Sequence, residues 1–251
     1  MKYKIVIFVL AGLALIALPL FAQQFGAGWV RILATALLYV LLALGLNIVV
    51  GYAGLLDLGY VAFYAVGAYM YALLASPHLT ENFEWIAQLF PEGLHAPFVV
   101  VVPLAAALAG LAGVLLGTPV LKLRGDYLAI VTLGFGEIIR VFLNNLEQPI
   151  NITNGPRGLD RIDSMHVLGF NAGKGIEIGG FAIPSVTLYY YIFLALVVGS
   201  VVICHRLELS RIGRAWMAIR EDEVAAKAMG INTRNMKLLA FGMGATFGGV
   251  S

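Results

Sequence analysis

Long apolar runs separated by short polar stretches organise the chain. Six runs reach or approach the roughly 20 residues that an α-helix needs to cross about 30 Å of hydrocarbon. Lipid offers no hydrogen-bond partner to a free peptide group, so each run is predicted to be a membrane-spanning helix. The six runs cover residues 5–22, 30–50, 58–75, 97–117, 127–143 and 186–204.

A seventh apolar run begins at Leu238 and reaches Ser251 after only 14 residues, with no polar flank. We therefore expect a truncated seventh span and a natural chain that continues. The predicted fold class is all-α: a polytopic helical bundle of the inner membrane with six spans plus this partial one. Residues 1–251 are treated as a single transmembrane domain, within which residues 205–237 form a cytoplasmic segment.

The first run resembles a secretory signal, because Lys2 and Lys4 precede an apolar stretch. A cut after Ala22 would place Leu20 three positions before it, and leucine is not the small residue that such a site requires. An uncleaved anchor is the favoured interpretation. With Lys2 and Lys4 in the cytoplasm, the N-terminus is predicted to be cytoplasmic.

The charges in the connections agree with this orientation, since cytoplasmic loops of membrane proteins carry an excess of Lys and Arg. The connection 118–126 holds Lys122 and Arg124 and is placed inside, as are residues 205–237 with seven basic residues. The loop 144–185 carries three basic and four acidic residues and is placed outside. The loop 76–96, also placed outside, has no Lys or Arg and contains Glu81, Glu84 and Glu92.

Composition agrees with a chain dissolved in lipid, at 61% hydrophobic and 12% charged residues against about a quarter charged in soluble domains. The net charge of +2 and the lack of a basic run among aromatic residues argue against nucleic-acid binding. One cysteine, Cys204, supports neither a disulfide framework nor a metal cluster, and the four histidines lack metal-ligand spacing. Neither a P-loop nor a nucleophile elbow is present.

Asp57 lies between the second and third runs, flanked by Gly51, Gly54 and Gly59. Glycines at this density favour a helix break or a short re-entrant piece, which membrane proteins tolerate where it is buried in protein or lines a cavity. Asp57 is therefore a candidate for the translocation path. The alternative is an ordinary cytoplasmic turn with Asp57 as N-cap of the third helix.

The fifth run contains Thr132, Glu137 and Arg140, and the last two lie three residues apart on one helix face. Ionisable residues at membrane depth usually face the bundle interior and have a partner. Glu137 and Arg140 are predicted to pair. The pair either keeps the helix inserted by local charge compensation or belongs to the transport path, for which Thr132 and Glu137 are candidates.

The charged segment, defined as residues 205–237, has helical periodicity with Trp216, Ile219 and Val224 among its apolar positions. Ser210 is a candidate N-cap, and Gly230 followed by Ile231 and Asn232 is a stop signal. Such a segment between two spans either lies on the lipid headgroups or docks into a groove of a cytosolic protein.

Residues 223–230, with the sequence EVAAKAMG, resemble the EAA loop of ABC import permeases, the cytoplasmic element that fits a cleft of the ATPase. Ala225, Ala226 and Gly230 match its spacing. The acidic residue that precedes the two alanines in the EAA loop is replaced here by Val224, and Glu223 lies one residue before that position. The Ile-x-Leu-Pro sequence that follows in the general EAA pattern is absent. The resemblance implies that coupling to the ATPase is carried by Arg220, Glu221, Glu223, Ala225, Ala226, Lys227 and Gly230.

The chain is similar to permease subunits of branched-chain amino acid ABC importers of the LivM type. The charged segment carries part of this resemblance, and the other matching passages are GLNIVVGYAGLLDLGYVAFYAVGAY, LRGDYLAIVTLGFGEIIRVFLNN and ITNGPRGL. The resemblance implies a LivH-like second permease, two cytoplasmic ATPases and a periplasmic binding protein as partners. It implies leucine, isoleucine and valine as substrates. ATP and magnesium would be bound by the ATPases, with no cofactor and no catalysis in this chain.

Three rival functions remain at this stage. An ion-gradient-driven carrier or channel would use Asp57, Glu137 and Arg140 as a relay. A membrane scaffold would bind a soluble partner without substrate flux. A membrane enzyme is opposed by the missing nucleophile, metal and cofactor signatures.

Overall fold

The computed structural model describes residues 2–91, 93–123, 125–167, 170–178 and 181–251. All seven apolar runs are helical, which confirms the predicted helical fold class. Glu92 and Arg124, used above to orient the loops, lie outside the described residues. The helices are α1 (Lys2–Gln23), α2 (Ala27–Asn47), α3 (Val61–Leu74), α4 (His78–Asn82), α5 (Glu84–Leu89), α6 (Phe98–Val120), α7 (Asp126–Asn145), α8 (Ser185–Leu209), α9 (Arg211–Glu221), α10 (Glu223–Ala228) and α11 (Thr233–Val250).

The loop before α8 contains two antiparallel hairpins that the apolar pattern did not predict. Strands β1 (His166–Val167) and β2 (Phe170–Asn171) form the first, and β3 (Ile176–Ile178) and β4 (Phe181–Ile183) form the second. In the second, Ile176 faces Ile183. A 3₁₀ turn at Gly155–Arg157 precedes both.

Three helical stretches in the described part of the chain are long and apolar enough to cross a membrane. They are Ala27–Tyr52, Phe98–Val120 and Ser185–Leu209. Gly12–Gln23 and Val61–Leu74 are shorter apolar helices. These features fit a helical membrane bundle, and the count of six crossings stays a prediction.

The chain divides into two compact units, each with its own core. The first comprises residues 1–40 and 164–200. Its buried cluster contains Val30, Ala34, Tyr190 and Leu194. The Tyr190 hydroxyl also donates to the carbonyl oxygen of Leu15 at 2.9 Å, which ties α8 to α1.

The second unit comprises residues 41–163 and 201–251, and α11 packs in it against both α3 and α6. Small residues allow this packing. A Cβ added to Gly67 would lie 2.3 Å from the carbonyl oxygen of Gly249, and one added to Gly113 would lie 2.5 Å from the Cβ of Ala245. Glycine in α3 and α6 thus permits close approach of these helices to α11.

Two loops predicted to lie outside meet within the second unit. Arg161 pairs with Glu81 at 2.8 Å, Asp163 pairs with His95, and the Asp163 amide donates to the Ala75 carbonyl at 2.7 Å. Residues 76–96 and the start of the 144–185 loop therefore occupy the same end of this unit, as the charge pattern requires.

Candidate functional site: the charged segment and the broken α2–α3 connection

The connection between α2 and α3 is irregular, as its glycines predicted. After Asn47 the backbone continues as a π-helical turn over Ile48–Tyr52. Gly54 then has φ +69°, a left-handed conformation that residues with a Cβ rarely adopt. Helix α3 begins only at Val61. The Leu55 amide still donates to the Val49 carbonyl oxygen at 3.0 Å. Beyond it, the amides of Leu58 and Gly59 donate to side-chain oxygen atoms instead of helical carbonyl groups.

Asp57 is buried in this connection. Its Oδ1 accepts a hydrogen bond from the Gly59 amide at 2.9 Å, whereas Oδ2 is buried with no hydrogen-bond partner among the described residues. Asp57 is not the cap of α3, because the N-cap position is Tyr60 and no side chain caps it. Burial raises the pKa of the Asp57 carboxyl to about 6, since removal from water disfavours the charged form.

Thr132 of α7 holds the connection in place. Its hydroxyl donates to the carbonyl oxygen of Ala129 at 3.0 Å and accepts from the Leu58 amide at 3.0 Å. A Cβ on Gly59 would lie 2.0 Å from the Thr132 carbonyl oxygen, so only glycine allows this approach. The structure thus brings two candidate path residues, Asp57 and Thr132, to the same α3–α7 contact.

Glu137 and Arg140 form the predicted ion pair. Arg140 Nη2 donates to Glu137 Oε1 at 2.5 Å, and Arg140 Nε donates to Oε2 at 2.9 Å. The side chains are 57% and 66% exposed, respectively. This pair therefore does not face the interior of its own bundle, contrary to the expectation for ionisable residues at membrane depth.

The charged segment contains two short helices, α9 and α10, between the end of α8 and the start of α11. Ser210 caps α9 as predicted, with its hydroxyl oxygen accepting from the Gly213 amide at 3.1 Å. The break at Asp222 was not predicted from the sequence. Its carboxylate accepts from the amides of Val224 and Ala225 at 2.8 and 3.0 Å and so starts α10. An Asp placed directly before an acidic residue is the signal that marked this start.

Three contacts tie α9 and α10 to α11 and to the π-helical turn that follows α2. The Trp216 indole N–H donates to the Met236 carbonyl at 2.8 Å. Arg220 donates to the carbonyl oxygen of Gly51, at the π-helical turn. Lys237 pairs with Glu223 at 2.7 Å. Two of the predicted coupling residues, Arg220 and Glu223, therefore contact α2 and α11 of their own chain.

The opposite face of α10 points away from the protein. Val224 is 73% and Met229 is 83% exposed, whereas Ala226 is buried against the chain. Gly230 has φ +84°, and the Ile231 amide donates to the Ala226 carbonyl at 3.1 Å, which ends α10 where the stop signal predicted. The other predicted coupling residues, Glu221, Ala225 and Lys227, are exposed.

Arg220, Glu223 and Lys237 also line a cleft of about 200 Å³ with residues 53–56 and the start of α7. The cleft joins the charged segment to the broken connection. Within the described ranges, no group of three His, Cys, Asp or Glu side chains is placed to hold a metal ion. The arrangement suits the transfer of force and the burial of a carboxylate.

Comparison with known proteins agrees with this architecture. Residues 28–251 match the family described as the permease component of the branched-chain amino acid transport system. The chain is 43% identical over 235 residues to the high-affinity branched-chain amino acid transport system permease protein LivM of Escherichia coli K12, and equally to that of Salmonella typhimurium. In each case 88% of the chain is aligned to 51% of the relative.

The chain thus spans about half the length of the curated relatives it matches. No solved structure matches it. The matched family region contains α2 to α11, and therefore both the broken connection and the charged segment. This chain belongs to the family of branched-chain amino acid transport permease components.

Proposed function

We propose that this chain is a permease subunit of an ATP-driven importer that moves leucine, isoleucine and valine into the bacterial cytoplasm. It would cross the inner membrane several times and work by alternating access. Family membership and the names of the relatives support this proposal. The observation that carries it is the charged segment, whose inner face is tied to the bundle while Val224 and Met229 lie exposed on its outer face.

The geometry suits mechanical coupling. An ATPase that grips the exposed face of α10 would move a short helix attached to α11 through Glu223 and Lys237. The same movement would reach the π-helical turn of α2 through Arg220 and Gly51. Because α11 packs against α3 and α6, the displacement would pass into the transmembrane core of the second unit.

The partners proposed are a LivH-like second permease, two cytoplasmic ATPases and a periplasmic amino-acid-binding protein. ATP and magnesium would bind to the ATPases, so this chain would carry no cofactor and catalyse no reaction. The binding protein would dock on the external loops, including residues 144–185. The two permeases would then open a central path alternately to either side.

Crosslinking in the assembled transporter tests the coupling role. Val224→Cys and Met229→Cys should each form crosslinks to the ATPase subunit, because both side chains are exposed on the proposed docking face. Trp85→Cys is the matched control, since Trp85 is also exposed and lies in the loop predicted to be external. Crosslinks from position 85, or none from 224 and 229, would refute the assignment.

The buried carboxyl of Asp57 favours one second candidate, an ion-gradient-driven carrier in which this group exchanges a proton. Uptake measured in vesicles separates the two functions. The importer requires ATP and its ATPases and continues when a protonophore removes the gradient. A carrier shows the reverse pattern, with uptake that persists without the ATPases and stops with the protonophore.

A further inference from the structure

A groove of about 340 Å³ runs between α3 and α7 in the second unit. Its volume lies within the range of about 300–1,000 Å³ that small-molecule sites occupy. Leu58, Val61 and Ala65 line one wall, and Leu133 lines the other. The groove is therefore apolar along most of its length, with the ion pair of Glu137 and Arg140 at one part of its edge.

The ion pair lies deep along α7. This helix has 20 residues, so it is about 30 Å long, close to the thickness of the hydrocarbon layer. Along the helix axis, Glu137 lies about 16 Å from the first residue of α7, and Arg140 lies about 8 Å from the last. Both charges therefore fall within the predicted span and well away from the cytoplasmic end.

Charges at this depth do not face lipid without a cost of a few kcal/mol. Both side chains are more than half exposed in this chain, so something other than this chain's own helices must cover them. Each also has hydrogen-bonding capacity beyond the contact with its neighbour, because a carboxylate has about four acceptor sites and a guanidinium five N–H donors. The pair can therefore bind one more group of each sign.

We propose that this groove is a binding site for a zwitterionic aliphatic amino acid during translocation. Arg140 binds the carboxylate of the substrate, Glu137 binds its ammonium group, and the aliphatic side chain lies against Leu58, Val61 and Leu133. This inference rests on the proposed function, since it places the substrate of the importer. It adds Arg140 and the apolar walls of α3 and α7 to the path residues considered so far.

A doubly neutral variant distinguishes substrate binding by Glu137 and Arg140 from simple charge compensation within the ion pair. Glu137→Gln with Arg140→Gln leaves no charge to compensate, so a pair that only keeps α7 inserted can be replaced without loss of uptake. A substrate site instead loses uptake of leucine by at least about tenfold, because charge-assisted hydrogen bonds are removed. The matched variant Glu137→Asp with Arg140→Lys keeps both charges and retains measurable uptake.

The assay uses the complete transporter, with membrane abundance and basal ATP hydrolysis measured in parallel. If the wild-type complex shows no ATP-dependent uptake of leucine, the proposed function fails. If the wild type transports leucine and the doubly neutral variant does so equally well, the groove assignment alone is overturned. The two failures are therefore distinguishable.

Thiol protection gives a second readout in a chain that keeps its ion pair. Ala65→Cys places a thiol on the groove wall, and Ala68→Cys places one on an exposed position of α3 that does not line the groove. Leucine should slow maleimide labelling at 65 and not at 68. Leucinamide and 4-methylpentanoate, which each lack one charged group, should protect less. Equal protection by all three, or protection by none, would contradict a zwitterion site.

Discussion

The surroundings of Asp57 fit a charged carboxylate poorly. One carboxylate oxygen accepts from the Gly59 amide, and the other is buried with no hydrogen-bond partner among the described residues. The connection that carries it is held by the hydrogen bond from the Leu58 amide to the Thr132 hydroxyl. A neutral group at this position would fit the site at lower cost.

Asp57→Asn should stabilise the protein at neutral pH. The folded carboxyl has a pKa of about 6 against the model-peptide value of 3.8, a difference equivalent to about 3 kcal/mol. Below about pH 4 the group is neutral in both states and costs nothing. As the pH rises from about 4 to about 6, the unfolded chain ionises before the folded state, so folding stability falls, and above this window the loss is complete.

The measurement is the melting temperature of the detergent-solubilised protein between pH 5 and 8. The gain from Asp57→Asn should be largest at pH 8 and shrink towards pH 5. Asp160→Asn is the control, because Asp160 is exposed in the loop predicted to be external and should change the melting temperature little at any pH. A gain that is constant with pH would show that ionisation is not its cause.

At the scale of elements, α10 depends on its cap. It has only six residues, too few to be stable in isolation, and Asp222 satisfies two of its first amides. Asp222→Ala should cost about 1 kcal/mol of local stability and reduce the uptake of leucine per ATP hydrolysed. Asp222→Ser retains a capping oxygen and should behave nearly as the wild type in the same assay.

If the uptake of leucine per ATP hydrolysed is the same in the alanine and serine variants, a folded α10 is not required for coupling. Membrane abundance and solubilised melting temperature should remain close to the wild type in both, because Asp222 is exposed and lies outside the transmembrane helices. A large loss of abundance in the alanine variant alone would point to a role in folding instead.

The helices were predictable because hydrocarbon demands long apolar runs, and all seven runs became helices. The break at Asp222 was missed because a capping carboxylate and a solvated one look alike in a charged stretch. The contacts of Arg220 with Gly51 and of Glu223 with Lys237 were also missed. Gly51 and Arg220 are 169 residues apart, and no local pattern reports such pairings.

For the whole molecule, the sequence predicted that the loops alternate between two sides, and the contacts of the second unit agree. Glu84→Cys and Lys174→Cys should react with an impermeant maleimide from outside, and Arg214→Cys only from inside. The native thiol of Cys204 is buried and should give little background. Labelling with the opposite sidedness, in intact cells compared with inverted vesicles, would overturn the predicted orientation.

The seventh run showed the greatest difference between sequence and structure. From the sequence it was a truncated seventh span with no predicted neighbours. In the structure, α11 contacts α3, α6, the π-helical turn and the charged segment. Its glycines gave the only local hint, because they permit packing on several sides. Which helices it contacts follows from tertiary packing, and a single sequence does not specify this.

The contact between α6 and α11 also limits how this protein can evolve. Gly113 meets Ala245, and Gly249 meets Ala109, with backbone or Cβ atoms already at contact distance. A Cβ on Gly249 would also lie 2.7 Å from the Ala105 carbonyl oxygen, a backbone atom that no mutation of α6 removes. A substitution that adds volume at Gly249 should therefore be harmful, and a second mutation in the facing helix should not rescue it. Gly110 and Gly242 instead face the side chains of Thr246 and Val114, so added volume at these two positions can be offset by a smaller residue in the facing helix.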